Sequence, residues 1–301
     1  MKDVLITGGA GQIGIELGRI DWGDDVRIHL PPRDVLEISS ADSVAKFFEQ
    51  HEFAAVINTA AFTAVDRAES EIGAAFAANA LGPALLAEAT AKTGTPLIHV
   101  STDYVFDGSK DGAYVEDDAV APLGVYGASK LAGELAVHSG NPKSVVLRTA
   151  WVLSPHRNNF LKTMLKLSAV RREINVVADQ VGCPTSAADI AAAIRAIVLA
   201  HLADNAAPVG VYHYVNAGEA SWCDLANAIF AHGAGDTGVQ VVARPITTAD
   251  YPTAARRPAN SRLSTAKITR NFGFTPRNWR DAVAEILAEI KSSKPAEGSN
   301  A

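Results

Sequence analysis

Over the first half of the chain, short apolar runs alternate with longer stretches in which apolar positions recur every three or four residues. The runs Val4–Thr7, Val26–Leu30, Ala55–Asn58, Leu97–Ser101 and Ser144–Arg148 predict strands, because each is brief and nearly continuous in apolar character. The stretches between them, Gln12–Ile20, Ser40–His51, Ile72–Lys92 and Gly127–His138, carry the helical period. Strands apolar on both faces need cover on both, which helices supply in a parallel sheet. Right-handed crossovers then wind the chain in both directions from the first strand. The expected fold class is α/β, a doubly wound parallel Rossmann-type sheet with a smaller C-terminal substrate lobe.

The second half is less regular. Asn158–Arg172, Ala187–Ala203 and a segment from Ser221 to Ala231 read as helices, and Ile174–Ala178 and Val211–Val215 as extended. Asp224 stands three residues after Ser221, as in a capping box, and Asn278 is placed to cap a last helix over Trp279–Ile290. Lys291–Ala301 has no large apolar side chain to order it. The expected organisation is a dinucleotide-binding domain over 1–150, with segments near 174–218 returning to it. A substrate-binding lobe would occupy 151–173 and 219–291, and a disordered tail 292–301.

Composition narrows the partners. Of 301 residues, 48% are hydrophobic and 20% charged, with a net charge of −6, so no basic field draws in nucleic acid or anionic lipid. The apolar stretch Ala187–Ala203 carries Asp189, Arg195 and His201 and reads as a packed helix, so no membrane partner is expected. Cys183 and Cys223 could form at most one disulfide, which suits a reducing cytoplasm. Neither has partners at metal-binding spacing, and both read as inert packing residues.

Three motifs carry chemistry. Thr7-Gly8-Gly9-Ala10-Gly11-Gln12-Ile13-Gly14 runs from the first strand into a helix. Glycines there let the backbone turn tightly and approach a pyrophosphate at the helix N-terminus. No acidic residue ends the second strand to hold an adenosine ribose. Arg33 follows instead, and either pairs with a 2′-phosphate or is a solvated loop residue, so NADPH and NADH both stay open. Small residues, Ala60 and Ala61, end the third run and would line the groove. Tyr126 and Lys130 stand four apart and share one helical face. An ammonium beside a phenol can pull it below its usual pKa of about 10, and such a tyrosine can protonate a carbonyl as hydride reaches the carbon. Thr102 ends the fourth run, where open α/β sheets bind ligands, and its hydroxyl either bonds a substrate carbonyl or caps the strand end.

With these motifs assembled the chain resembles the extended short-chain reductases, and more narrowly the dTDP-4-dehydrorhamnose reductase family. The blocks that carry the narrower likeness include Ala60-Ala-Phe-Thr63-Ala-Val-Asp66, Ser101-Thr-Asp-Tyr-Val-Phe106, Tyr126-Gly-Ala-Ser-Lys130, Arg148-Thr-Ala-Trp151, Asn158-Asn-Phe160, Asp179-Gln-Val-Gly-Cys-Pro-Thr185 and Arg257-Pro-Ala-Asn-Ser-Arg-Leu263. The resemblance implies reduction, by NADPH or NADH, of the C4 keto group of dTDP-6-deoxy-L-lyxo-4-hexulose to dTDP-L-rhamnose. It implies a catalytic triad of Thr102, Tyr126 and Lys130. Gly8, Gly11, Gln12, Ile13, Gly14, Ala60, Ala61, Thr63, Tyr126 and Lys130 would contact the cofactor, with Glu37 and Ile38 beside the adenine. Asp103, Tyr104, Trp151, Asn159 and Arg257 would face a dTDP-linked deoxysugar, although Trp151 also reads as a core residue and Arg257 as half of an ion pair. Some relatives hold Mg²⁺ at a homodimer interface; Glu16 matches one ligand, but Ala188-Asp189 stands where a second glutamate belongs. The alternatives are another nucleotide-sugar 4-ketoreductase or epimerase, or a non-catalytic regulatory subunit of the same superfamily. Elimination would need Asp-Glu after the threonine, where this chain has Asp103-Tyr104.

Overall fold

The computed structural model describes residues 1–233 and 241–293. Six strands, β1 (Lys2–Thr7), β2 (Val26–His29), β3 (Ala55–Asn58), β4 (Leu97–Thr102), β5 (Ser144–Thr149) and β6 (Gly210–His213), form one sheet in the order β6-β5-β4-β3-β1-β2. Every pairing in it is parallel. The longer helices are α1 (Gln12–Arg19), α2 (Ala41–Gln50), α3 (Ile72–Thr93), α4 (Val125–Gly140), α5 (Phe160–Ser168), α6 (Ala187–Ala203), α7 (Trp222–Gly233), α8 (Ala266–Phe272) and α9 (Trp279–Ser292).

The period of two within β1 decides which helix covers which face. Val4 and Ile6 point to one side, where they pack with Leu17 of α1 and Ile190, Ile194 and Ile197 of α6. Leu5 points to the other, with Val44 of α2, Leu86 of α3 and Val137 of α4. Fully burying a side chain of this size contributes about 1.5–3 kcal/mol, so these two layers make the sheet the rigid part of the fold. From β1 the chain winds first to β2 and then crosses to β3 on the opposite side. The carboxyl ends of β1 and β3 therefore flank a crevice, the place where open α/β sheets bind ligands.

Leu161, Leu225, Ile229, Trp279, Ile286 and Leu287 build a separate core in the second half. The Ser221–Asp224 box closes both ways: the Asp224 N–H donates to Ser221 Oγ at 3.0 Å, and the Ser221 N–H to Asp224 Oδ2 at 2.9 Å. Of the segments expected to return to the sheet, 210–213 pairs with β5, whereas Glu173–Val177 pairs with Val242–Ile246 in a ribbon of its own. The helix expected over 158–172 is shorter: it starts at Phe160, where Asn159 accepts from the Lys162 N–H, and it ends at Ser168. Of the tail, Ser292 still belongs to α9, and 294–301 lie outside the described residues.

The largest departure lies in α3. Its sequence predicts one regular helix, but Ala77–Leu81 is wound as a π-helix. The reason is Asn79, fully buried, whose Oδ1 accepts from the Phe62 N–H at 2.7 Å and whose Nδ2 donates to the Phe62 carbonyl at 3.0 Å and to Ser129 Oγ at 3.0 Å. One amide thus ties the loop after β3 to α4, and widening the helix by a residue aims it there. By length and composition α3 is also apolar enough to cross a membrane; in this fold its inner face packs against α2 and α4.

Candidate active site

The turn after β1 is built by backbone proximity. Gly8 has φ of +76°, and a Cβ there would lie 2.5 Å from the Ala60 nitrogen; a Cβ on Gly14 would lie 2.2 Å from the Gly8 carbonyl oxygen. The Gly11 N–H closes the turn onto that same oxygen at 2.8 Å. Gly11 starts α1 without a side-chain cap, so the first N–H groups of the helix are free to meet an anion. In front of them opens a cleft of about 480 Å³. Gly8, Gly11, Gln12, Ile13, Arg33, Glu37, Ile38, Ala60, Ala61 and Thr63 all line it. A cleft of this size beside a turn with no room for side chains fits a dinucleotide.

The other expected site residues are placed as follows. Gly14 does not line the cleft; it lets α1 pack against the turn. Tyr126 and Lys130 also lie outside the cleft lining, further along the crevice. Arg33 donates from Nε to Glu37 and stays largely exposed at the cleft edge. Asn159 is engaged within the chain: its Nδ2 donates to Gln12 Oε1 at 2.8 Å and to the Ser154 carbonyl at 2.8 Å, while its Oδ1 caps α5. Glu16, the matched metal ligand, is buried 3.1 Å from His156 Nε2 and 3.6 Å from Arg19. Among the described residues no group of three or more His, Cys, Asp or Glu is placed to hold a metal.

Deeper along the crevice, Tyr126 and Lys130 occupy successive turns of α4 above the end of β4. Lys130 is buried, and its Nζ donates to the Val100 carbonyl at 2.7 Å. Burial pulls its pKa down to about 8, with Glu134 opposing. Tyr126 is not pulled below 10 as its spacing from Lys130 led one to expect: burial pushes it up to about 12, with the Thr102 hydroxyl working against the rise and the Asp103 charge adding to it. The Thr102 hydroxyl donates to Asp103 Oδ1 at 3.0 Å and accepts from the Tyr104 N–H at 3.2 Å. Asp103 is buried and raised to about 6 by desolvation, and its Oδ2 has no hydrogen-bond partner. Tyr104 meets Tyr126 edge-on at 5.4 Å. Arg257 lies near Tyr104 and holds the ion pair that was one of its two readings, with Nη2 2.8 Å from Asp66 Oδ2. Trp151 takes a left-handed φ of 48° and stacks on Trp222 at 3.6 Å, with Gly182 leaving room for the indole. Strain of this kind gathers at ligand sites.

Sequence reasoning missed four contributors. Arg157, also left-handed at φ 54°, donates from Nε to the Ala10 carbonyl at 2.6 Å and lines the cleft with Asn158. Trp222 stacks from α7, and His99 and Asn58 lie beneath Lys130. For Arg157, only a basic residue beside the Asn158-Asn159 block hinted at it; the others had no local signal. Cys183 and Cys223 are free and buried, and burial pushes the Cys183 thiol up to about 11, as inert packing residues would be.

Comparison with known proteins gives these findings. A family model described as the RmlD substrate binding domain matches residues 1–292. A dTDP-4-dehydrorhamnose reductase of Sinorhizobium fredii is 44% identical over 285 residues, 94% of this chain and 96% of the relative. The crystal structure of a dTDP-4-dehydrorhamnose reductase from Clostridium acetobutylicum superposes with a TM-score of 0.89 at 36% identity, over 96% of this chain and 99% of that one. That of Bacillus anthracis, solved in complex with NADP, gives 0.88 at 34%, over the same shares.

Proposed function

The chain belongs to the RmlD substrate-binding-domain family, and from that membership we propose that it reduces the C4 ketone of dTDP-6-deoxy-L-lyxo-4-hexulose to dTDP-L-rhamnose. The carrying observation is the placement of Tyr126 and Lys130 on one face of α4 at the end of β4, beside a cleft shaped by Gly8 and Gly14. A bound reduced nicotinamide dinucleotide supplies the hydride, and its phosphates suit the uncapped start of α1. Tyr126 Oη gives its proton to the ketone oxygen, leaving a secondary alcohol and a phenolate. Lys130, as the ammonium, holds that phenolate and returns it towards neutrality. The Thr102 hydroxyl turns from Asp103 to the substrate oxygen and fixes its direction. Arg257, Tyr104 and Trp151 would face the sugar nucleotide. The proposal includes a cytoplasmic enzyme, in keeping with its two free cysteines, and a homodimer that light scattering would detect.

The test is loss of reduced-nicotinamide absorbance on mixing purified protein with a panel of keto-sugar nucleotides. Turnover of the dTDP-linked 6-deoxy-4-keto sugar supports the reading; failure to oxidise either NADPH or NADH with it ends the reading.

Two expectations follow from charge. Arg33 at the cleft edge should discriminate cofactors, so Arg33→Ala should raise KM for NADPH about tenfold, the loss of one charge-assisted contact, and leave NADH within about twofold. Equal effects on both would remove Arg33 from the 2′-phosphate. Lys130 is active when protonated and deprotonates at about 8, while Tyr126 keeps its proton to about 12. The alkaline limb of kcat/KM, which reports the free enzyme, should therefore fall as pH rises through about 8. A profile flat to pH 10, near a free lysine's ordinary value of about 10.4, would contradict this.

A further inference from the structure

Beneath Lys130 lies a buried polar chain that the proton transfer just described does not use. His99 of β4 is fully buried, with Nε2 3.4 Å from Lys130 Nζ and Nδ1 3.0 Å from Asn58 Nδ2. Asn58 of β3 is equally buried. Its Oδ1 accepts from the Ala60 N–H at 3.1 Å and from the Thr7 hydroxyl at 2.7 Å. A backbone N–H can only donate, so the Ala60 contact fixes which end of the amide is oxygen. The other end, an NH₂, must then face His99 Nδ1, which can only accept from it. A neutral imidazole that accepts at Nδ1 carries its proton on Nε2. His99 is neutral, because burial and the neighbouring lysine charge hold its pKa well below the usual histidine value.

We propose that Asn58 and His99 are positioning residues for Lys130: Asn58 locks His99 as the Nε2–H tautomer, which presents a donor to an amine whose protonated form has only donors. The contact favours the neutral amine, whose lone pair can accept, and so loosens the proton on Nζ. Lys130 can then give a proton to the Tyr126 phenolate, returning it to the phenol, and take a replacement proton from solvent between turnovers.

Burial lowers Lys130 as well; the other charged groups near the lysine do not. Glu134, one turn on, favours the ammonium, and is itself held by Arg148 of β5 at 2.7 Å. Asp103 and Tyr104 follow β4, and Tyr126 lies one turn back in α4. Elements packed on the outer side of α4 carry Asp66 and Arg67, paired with Arg257 and Glu71, and Glu88 paired with Lys92. Glu69 is turned to the start of α4, accepting from the Val125 N–H.

The first readout needs no activity. Long-range ¹H–¹⁵N spectra of the full-length protein labelled with ¹⁵N-histidine should show His99 protonated at Nε2; protonation at Nδ1 overturns the proposal. The second is the titration of Lys130, followed by its ¹³Cε shift in lysine-labelled protein and assigned with Lys130→Met. Asn58→Asp offers only acceptors, so His99 should switch its proton to Nδ1 and turn an acceptor to Nζ. The Lys130 midpoint should then rise by at least about one pH unit, the scale of one hydrogen bond to a charged group. His99→Gln, which adds no charge and can turn its carbonyl to the ammonium, should raise the midpoint as well. A rise in Asn58→Asp with none in His99→Gln would assign the effect to the added charge and overturn the tautomer lock. If a variant does not fold, the wild-type tautomer still decides.

The kinetic consequence rests on the function proposed above: in both variants the alkaline limb of kcat/KM should follow the Lys130 midpoint upward. A protein with the expected tautomer and titration but no keto-sugar turnover would refute that function while leaving this inference standing. A limb that stays put while the midpoint moves would refute the role of the pair in catalysis.

Discussion

Tyr126→Phe should lower kcat by about a thousandfold, within the range of about 10²–10⁴ that a positioned general acid contributes, and leave cofactor binding within a few-fold. The ring is packed edge-on against Tyr104, and phenylalanine keeps that contact. What disappears is a single hydroxyl, the one group on this face of α4 that holds a transferable proton at neutral pH while lying next to Thr102. The measurement is a pair of experiments on one preparation: steady-state turnover, and cofactor affinity by fluorescence titration. Parallel loss of turnover and of cofactor affinity would make the tyrosine a structural residue and remove it from the chemistry.

Gly14→Ala is the second large effect, and it acts on the cofactor cleft without touching it. The new methyl would sit 2.2 Å from the Gly8 carbonyl oxygen and 2.7 Å from the Gly9 Cα, and both obstacles are backbone. The turn and the first turn of α1 would have to separate by roughly an ångström, a misplacement that can cost about 10²-fold in function. Overpacking of this kind also destabilises by about 1–3 kcal/mol. Cofactor affinity should therefore fall by about two orders of magnitude, and the melting temperature should drop. Gly73→Ala is the control: a Cβ there meets nothing within 4 Å, and the position is helical, so stability should be unchanged or rise slightly. Equal behaviour of the two variants would mean that the close approach at Gly14 is not what shapes the cleft.

How far the sequence could be read depended on the range of the interactions. The strand over 55–58 was legible to the residue, and the other sheet strands to within two, because each announces itself by its own apolar pattern. The glycine turn and the Tyr126–Lys130 pair were legible because their geometry is set by residues at most six apart. The resemblance added the substrate-side residues. Tyr104 meets Tyr126 and lies near Arg257, Trp151 stacks on Trp222, and Asn159 is taken up by its cap and by Gln12, a partner 147 residues away. The π-turn in α3 left no trace in its own sequence, since its cause is the Phe62 backbone and Ser129, 17 and 50 residues from Asn79.

The sequence by itself therefore determined the doubly wound sheet, the glycine turn after β1 and the register of tyrosine against lysine, since periodicity and backbone sterics act between near neighbours. Only the tertiary structure decided how those groups ionise and which of them are free to act. Burial lowers Lys130 and raises Tyr126 and Asp103, and a hydrogen bond from β3 to β4 chooses the proton's place on His99. Desolvation and hydrogen-bond direction depend on everything that surrounds a group, and those surroundings exist only once distant segments have packed.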